Sequence, residues 1–302
     1  MPKTEVGHRT VLLQEAVEFL EVTSGEVIVD ATLGGAGHAK LIAEKLGKKG
    51  TFIGFDLDAD AIERAREALL GSGCTKHFIQ ANFRAMQVEL EACGIHEIDG
   101  ALFDLGWSSF QLGVGRGFSF LADEPLAMTY TKEPTEDTLT AATIVNEWGE
   151  ESLSDIIFGW GEERYSRKIA KMIVERREVK PFETSRELAD AIKACVPIAY
   201  RYGRLHPATR TFQALRIAVN DEMGALTDGI AAAWRMMRPG GRIAVITFHS
   251  IEDRIVKHTF VDWEKEGSGR RVTHKPQLPS EEELQANPRA RSAKLRVIEK
   301  NQ

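Results

Sequence analysis

Cysteine is scarce: Cys74, Cys93 and Cys195 are the only three among 302 residues, far apart and without paired spacing. That excludes a disulfide framework and a cysteine zinc site, and it fits a reducing compartment. Long hydrophobic runs are missing too, and no basic-then-apolar leader opens the sequence. A cytoplasmic protein with no membrane partner is therefore expected. No internal repeat recurs, no hydrolytic triad assembles, and no metal site is expected. An excess of positive charge is also lacking: the formal net charge is −6, which argues mildly against a general nucleic-acid binder. The rest is ordinary globular composition, 43% hydrophobic and 28% charged, enough for one large domain or two modest ones.

What is present concentrates between Val27 and Asp58. An apolar run, Val27-Ile28-Val29-Asp30, enters a turn containing Gly34, Gly35 and Gly37, then a helical pattern, then a second apolar run from Thr51 to Asp56. This is the sequence form of a nucleotide-binding βαβ unit, whose glycines let backbone approach a ligand. Asp56, ending the second run, can accept both ribose hydroxyl protons. Asp30, just before the glycines, would repel a pyrophosphate and suit a ligand carrying an ammonium and a sulfonium. The pattern thus favours S-adenosylmethionine over a dinucleotide.

Strand and helix signals alternate through the first third. A helix is expected over Val11 to Leu20 and another after Asp56, around Ala61, Ile62, Ala65 and Leu69. His77 to Ile79 reads as a third strand, Arg84 to Ala92 as a helix, and Ile98 to Asp104 as a fourth strand that also ends in an acid. Such alternation predicts a parallel sheet with helices on both faces. From Phe110 to Tyr130 the chain turns glycine-rich and aromatic, more like a long binding loop than a packed element. From Ala141 to about Ile198 only helices are predicted, one opened by a Thr184–Glu187 capping box. Asp221 to Met237 reads as a helix, Pro239 to Gly241 as a turn and Arg242 to Phe248 as a buried strand. Ser250 and Asp253 then cap another helix, and Lys294 to Glu299 alternates like a final edge strand. Gly267 to Asn287 reads as extended and mobile. The economical parse is a discontinuous α/β domain, 1–107 and 213–302, with a mostly helical substrate-recognition insertion at 108–212.

In an open parallel sheet the ligand lies at the carboxyl ends of the strands where their order reverses. Asp30 and Asp104 are therefore expected side by side. Asp104 opens a segment, Asp104-Leu105-Gly106-Trp107-Ser108-Ser109-Phe110, where amino-methylating enzymes carry an acid, two prolines and an aromatic. An exocyclic amine is a poor nucleophile because its lone pair is delocalised into the base. An acceptor such as Asp104 that takes its N–H bonds moves the nitrogen toward sp³ and aims the lone pair. Trp107, flanked by Ser108 and Ser109, would stack the flat base. Asp104 as a turn cap and Trp107 as a core residue remain open alternatives. His249 follows a strand and could bond substrate or be a satisfied strand-end histidine. Between Lys193 and Arg216 lie five basic residues, including Arg210 and Arg216, and no acid; Arg289, Arg291, Lys294 and Arg296 repeat the pattern. Both clusters suit an anionic polymer, and solvated faces would explain them equally.

Further segments resemble one family across nearly the whole chain, the bacterial ribosomal RNA small subunit methyltransferase H (MraW) family. They are His8 to Leu13, Gly115 to Phe120, Gly161 to Arg164, His206 to Arg216, Phe248 to Arg254 and Asn287 to Ser292. The resemblance implies a Rossmann-like class I methyltransferase sheet with an inserted helical domain. It also implies methylation by S-adenosylmethionine of N4 of a cytidine in the decoding region of 16S rRNA, free or in the small ribosomal subunit. A homodimer stays open. The family's cofactor contacts map onto Ala36, Gly37, His38, Asp56, Phe83, Asp104 and Gln111. The chain departs from the family at Ala36, at Trp107 and Phe110, and in Asp123-Glu124-Pro125-Leu126-Ala127-Met128-Thr129, where Asp-Gly-Pro-Leu-Asp-Met-Arg is usual. A nicotinamide-dependent dehydrogenase would share the βαβ signal, but its diphosphate would sit poorly beside Asp30. A non-catalytic RNA-binding factor would leave Asp56 and Asp104 idle.

Overall fold

The computed structural model describes residues 9–106, 115–131, 135 and 137–302. Seven strands form one sheet: β1 (Val27–Asp30), β2 (Thr51–Asp56), β3 (Thr75–Gln80), β4 (Ile98–Asp104), β5 (Met237–Thr247), β6 (Gly269–Arg271) and β7 (Lys294–Lys300). Their order is β3-β2-β1-β4-β5-β7-β6. The first five pair in parallel, whereas β7 runs antiparallel to both β5 and β6. The expected Rossmann-like α/β sheet is present, and its order reverses between β1 and β4.

The strands are apolar on both faces because helices cover both. Ile28, Phe52, Leu102 and Ala244 point to one side, where the helices Leu13–Phe19, Gly37–Leu46 and Ala59–Ala68 contribute Ala16, Ile42 and Ala65. Val29, Ile53, Phe103 and Val245 point to the other, against Leu90, Ile230 and Phe260 of the helices Met86–Ala92, Glu222–Met236 and Ser250–Lys265. This period-two division is what continuous apolar runs imply for a parallel sheet.

The chain divides into two compact units, 1–107 with 224–302, and 108–223. The predicted join at 212 falls inside the helix Thr209–Asn220, whose Phe212, Leu215 and Ala218 belong to the helical unit's core, so the crossing comes later. That unit gathers Ile144, Leu153, Ile157, Ile173, Leu188 and Ile192 from its helices. Thr184 caps the helix Ser185–Cys195 as expected, accepting from Glu187 N.

Four predictions need correction. The described part of the expected loop, 115–131, has no helix or strand but is packed, with 110–114 outside the described residues: Phe118 stacks on Tyr130 at 5.7 Å and Phe120 on His206 at 4.6 Å between centroids. β7 is not an edge strand, because the three-residue β6 lies outside it. Pro239 to Gly241 does not precede the strand but bulges within β5, where the register jumps from Ile98–Met237 to Gly100–Arg242. The segment 267–287 is tied down by β6, by a bridge between Gln277 and Leu295, and by the helix Glu281–Ala286, whose Glu283 accepts from Leu12 N at 2.9 Å. Among the described residues no helix is long and apolar enough to cross a membrane.

Candidate functional site

The carboxyl ends of β1, β2 and β4 carry three acids held by the loop between them. After Asp30 the chain crosses the strand tips: Ala31 N donates to Leu102 O at 2.8 Å and Leu33 N to Phe55 O at 3.1 Å. Gly34 and Ala36 are both left-handed, at φ 47° and 63°. Gly34 takes that conformation freely; Ala36 adopts it at a cost of about 1 kcal/mol, held by its burial. Gly37 is glycine for a packing reason, since a Cβ there would lie 1.9 Å from Thr10 Oγ1.

Asp56 completes the loop. Its Oδ2 accepts from Gly34 N at 3.0 Å and its Oδ1 from Asp58 N at 2.9 Å. Burial pushes its carboxyl up, and those two amides partly offset the push. Asp30 is only 1% exposed. Its Oδ1 accepts from Thr32 N at 3.1 Å, and its Oδ2 is buried without a partner among the described residues. Burial holds this carboxyl well above its ordinary value, and the charges of Asp104 and Asp56 add to the shift.

Asp104 lies two residues beyond Leu102, the β4 partner of Asp30. Its backbone N donates to Thr32 Oγ1 at 2.7 Å, tying the two strand tips together. Oδ2 stands 3.6 Å from His38 Nδ1, while Oδ1 has no partner among the described residues. Burial raises this carboxyl to about 7, with the Glu252 charge adding to it. No lysine or arginine among the described residues pairs with Asp30 or Asp104. Such a group of acids with spare acceptor oxygens favours a cationic ligand, and phosphate would be repelled.

The sequence profile of the MraW methylase family matches residues 5–301. The chain belongs to that family. It is 46% identical over 312 residues to a ribosomal RNA small subunit methyltransferase H from Clostridioides difficile (strain 630), covering 98% of this chain and 99% of the relative. A protein of the same name from Brevibacillus brevis is 46% identical over 309 residues, with 97% and 98% covered. One from Symbiobacterium thermophilum is 44% identical over 311 residues, with 98% and 97% covered.

For the remaining candidates of this MraW family member the structure is specific. His38 is buried in the first turn of its helix beside Asp104. Phe83 is half-buried, edge-on to Phe103 at 5.5 Å, and a Cβ on Gly229 would come within 2.5 Å of its ring. Trp107, Ser108, Ser109 and Gln111 lie outside the described residues.

His249 is bonded locally, one of the two readings left open for it. It, not Ser250, is the N-cap of the helix Ser250–Lys265: Glu252 N donates to its Nδ1 at 3.4 Å, and Glu252 Oε2 accepts from His249 N at 3.2 Å and Phe248 N at 2.9 Å. Asp253, expected in the cap, instead binds Arg296 at 2.7 Å and Lys294 at 3.0 Å. These two members of the C-terminal basic cluster are thereby satisfied internally.

Sequence reasoning missed Glu252, a 2% exposed carboxylate whose field reaches Asp104. Its position three residues after a capping histidine was the available signal.

In the helical unit, Arg210 donates to Glu162 O. Arg216 forms a bidentate pair with Glu222 at 2.8 and 2.9 Å, both side chains 11% exposed. Arg216 is therefore a structural residue more than a free phosphate contact. Glu124 accepts from Gly117 N at 2.9 Å and so holds the local turn.

Proposed function

We propose that the protein is an S-adenosylmethionine-dependent methyltransferase of small-subunit ribosomal RNA, and that it modifies N4 of a cytidine in the decoding region of 16S rRNA. The observation that carries the reading is the pair of buried, unpartnered carboxylate oxygens at the β1 and β4 tips, Asp30 Oδ2 and Asp104 Oδ1. They suit the ammonium and sulfonium of this cofactor, which when bound supplies an electrophilic methyl group. The names of the relatives support ribosomal RNA as the substrate.

In this reading the Ala36-Gly37-His38 backbone borders the cofactor, and the lone pairs left on Asp56 accept from its ribose. Phe83 flanks the adenine, and Asp104 and Gln111 are the remaining candidate cofactor contacts. Asp104 accepts from the target amine and takes the proton its nitrogen loses as the new C–N bond forms. Trp107, Ser108 and Ser109 remain candidate base contacts, and the helical unit is the candidate RNA-recognition element.

Attack through cytosine C5 would need a nucleophilic thiolate. Cys74 precedes β3 and Cys93 precedes β4, at the opposite edge of the sheet from the acids. Burial raises the Cys195 thiol, which disfavours its thiolate. The test is to incubate unmodified 16S rRNA, and separately small subunits, with protein and cofactor and to identify the methylated nucleoside by mass spectrometry. N4-methylcytidine is expected; 5-methylcytidine or a methylated purine overturns the reading.

A further inference from the structure

Asp30 and Asp104 end neighbouring strands, and each keeps one buried oxygen without a partner among the described residues. The charged groups around them come from four elements. β2 presents Asp56, whose charge opposes Asp30; the helix Gly37–Leu46 presents His38, 3.6 Å from Asp104; the helix Ser250–Lys265 presents Glu252, whose charge opposes Asp104. Arg64 faces Asp56 and Asp58, donating to Gly34 O at 3.4 Å, and pairs with neither Asp30 nor Asp104. Two acids and one imidazole surround the pair, and among the described residues no lysine or arginine pairs with either carboxylate. Burial raises both carboxyls and the charge of Asp104 raises Asp30 further, so ionising both is costly until positive charge arrives.

We infer that Asp30 and Asp104 hold one proton between them in the free protein, that the cationic cofactor displaces it on binding, and that methyl transfer returns one from the target amine. This rests on the cofactor reading above and adds Asp30 as the residue that, with Asp104, distinguishes a sulfonium from a thioether. The balance closes. The amine lone pair forms the C–N bond, the carbon–sulfur bond breaks with its electron pair left on sulfur, and the surplus proton of the nitrogen passes to the carboxylates. One positive charge vanishes from sulfur as one proton arrives on the pair, so the net charge of the site is unchanged. The protonated pair then holds a neutral thioether, the form in which its attraction for the ligand is weakest. Chemistry itself thereby prepares release of the spent cofactor.

Calorimetry of the full chain decides it. S-adenosylmethionine and S-adenosylhomocysteine share their ammonium and carboxylate and differ at sulfur. Each is titrated near pH 6 in buffers of different ionisation enthalpy. The sulfonium ligand is expected to release about one proton more than the thioether. Between about pH 5.5 and 7 the affinity for the sulfonium ligand should rise more steeply than the thioether's, by a difference approaching tenfold per pH unit, and then level. A folded Asp30→Asn variant should release at most about half as many protons. Equal release by both ligands, binding of the sulfonium without release, or unchanged release in Asp30→Asn overturns the inference. Failure of S-adenosylmethionine to bind at all overturns the cofactor reading, and this with it.

Discussion

Gly34 N donates to Asp56 Oδ2 at 3.0 Å, so the acid expected to read a ribose also staples the glycine turn. A turn with left-handed residues at 34 and 36 is costly to hold, and a carboxylate that takes the amide of Gly34 and of Asp58 fixes it in place before any ligand arrives.

Asp56→Ala is therefore expected to act twice. Loss of the ribose acceptor should cost roughly 1.5–3 kcal/mol, about tenfold to a hundredfold in S-adenosylmethionine affinity. Loss of the staple should lower the melting temperature of the free protein as well. Calorimetric titration and thermal melts separate the two, and unchanged affinity in a folded variant would remove Asp56 from the site.

Much of this site was legible because its residues sit where strands end. An apolar run that stops at an acid marks both the boundary and the candidate ligand, which is why Asp30, Asp56 and Asp104 were found together. What escaped was anything decided by a distant partner. A Cβ at Gly37 would run into Thr10, a requirement that the glycine turn by itself does not announce. The cap at His249 escaped because imidazole is outside the usual set of capping side chains. The strand Gly269–Arg271 has two arginines and no apolar residue, so no alternation announced it. A run of basic residues shows in the sequence, but which of them are already paired does not. Glu222 lies just beyond the apparently acid-free run and takes Arg216.

That pairing reverses the expectation for Arg216. Breaking a bidentate pair with both partners 11% exposed leaves Glu222 half-desolvated, so Arg216→Ala should destabilise the protein by about 3 kcal/mol. Arg204 is exposed, and Arg204→Ala should leave the melting temperature unchanged while weakening RNA binding and reducing its salt slope by about one phosphate. Melting curves and RNA titrations at several salt concentrations check both. An Arg216→Ala protein of full stability with a reduced salt slope would restore it as a phosphate contact.

The acids also fix the sign of the pH dependence. Burial raises Asp104 to about 7, so the native state keeps a proton that the unfolded chain loses near its ordinary carboxylate value. That contribution is present at low pH and is lost as pH rises toward 7, with a ceiling of about 4 kcal/mol. Asp253 has the opposite sign. Arg296 and Lys294 more than offset its burial and hold it below the usual range, so its contribution is lost as pH falls through that lowered value. The free protein should melt higher near pH 5 than near pH 8, and Asp104→Asn should flatten that difference. A slope unchanged in Asp104→Asn would assign it to another group.

The sharpest prediction separates binding from turnover at the same residue. Asp104→Asn keeps the shape of the side chain beside His38 and removes its charge. One amide oxygen still accepts, so S-adenosylmethionine should bind with modest loss. The amide is a weaker acceptor toward the target amine, its NH₂ can face that amine wrongly, and it cannot take up the departing proton. Turnover should therefore fall by about a hundredfold or more, the range typical of a lost general base. Measured under single-turnover conditions with saturating cofactor, the loss should appear in the rate and not in the cofactor dissociation constant. A fully active Asp104→Asn protein would leave the fold intact and demote Asp104 to a structural residue at the tip of β4.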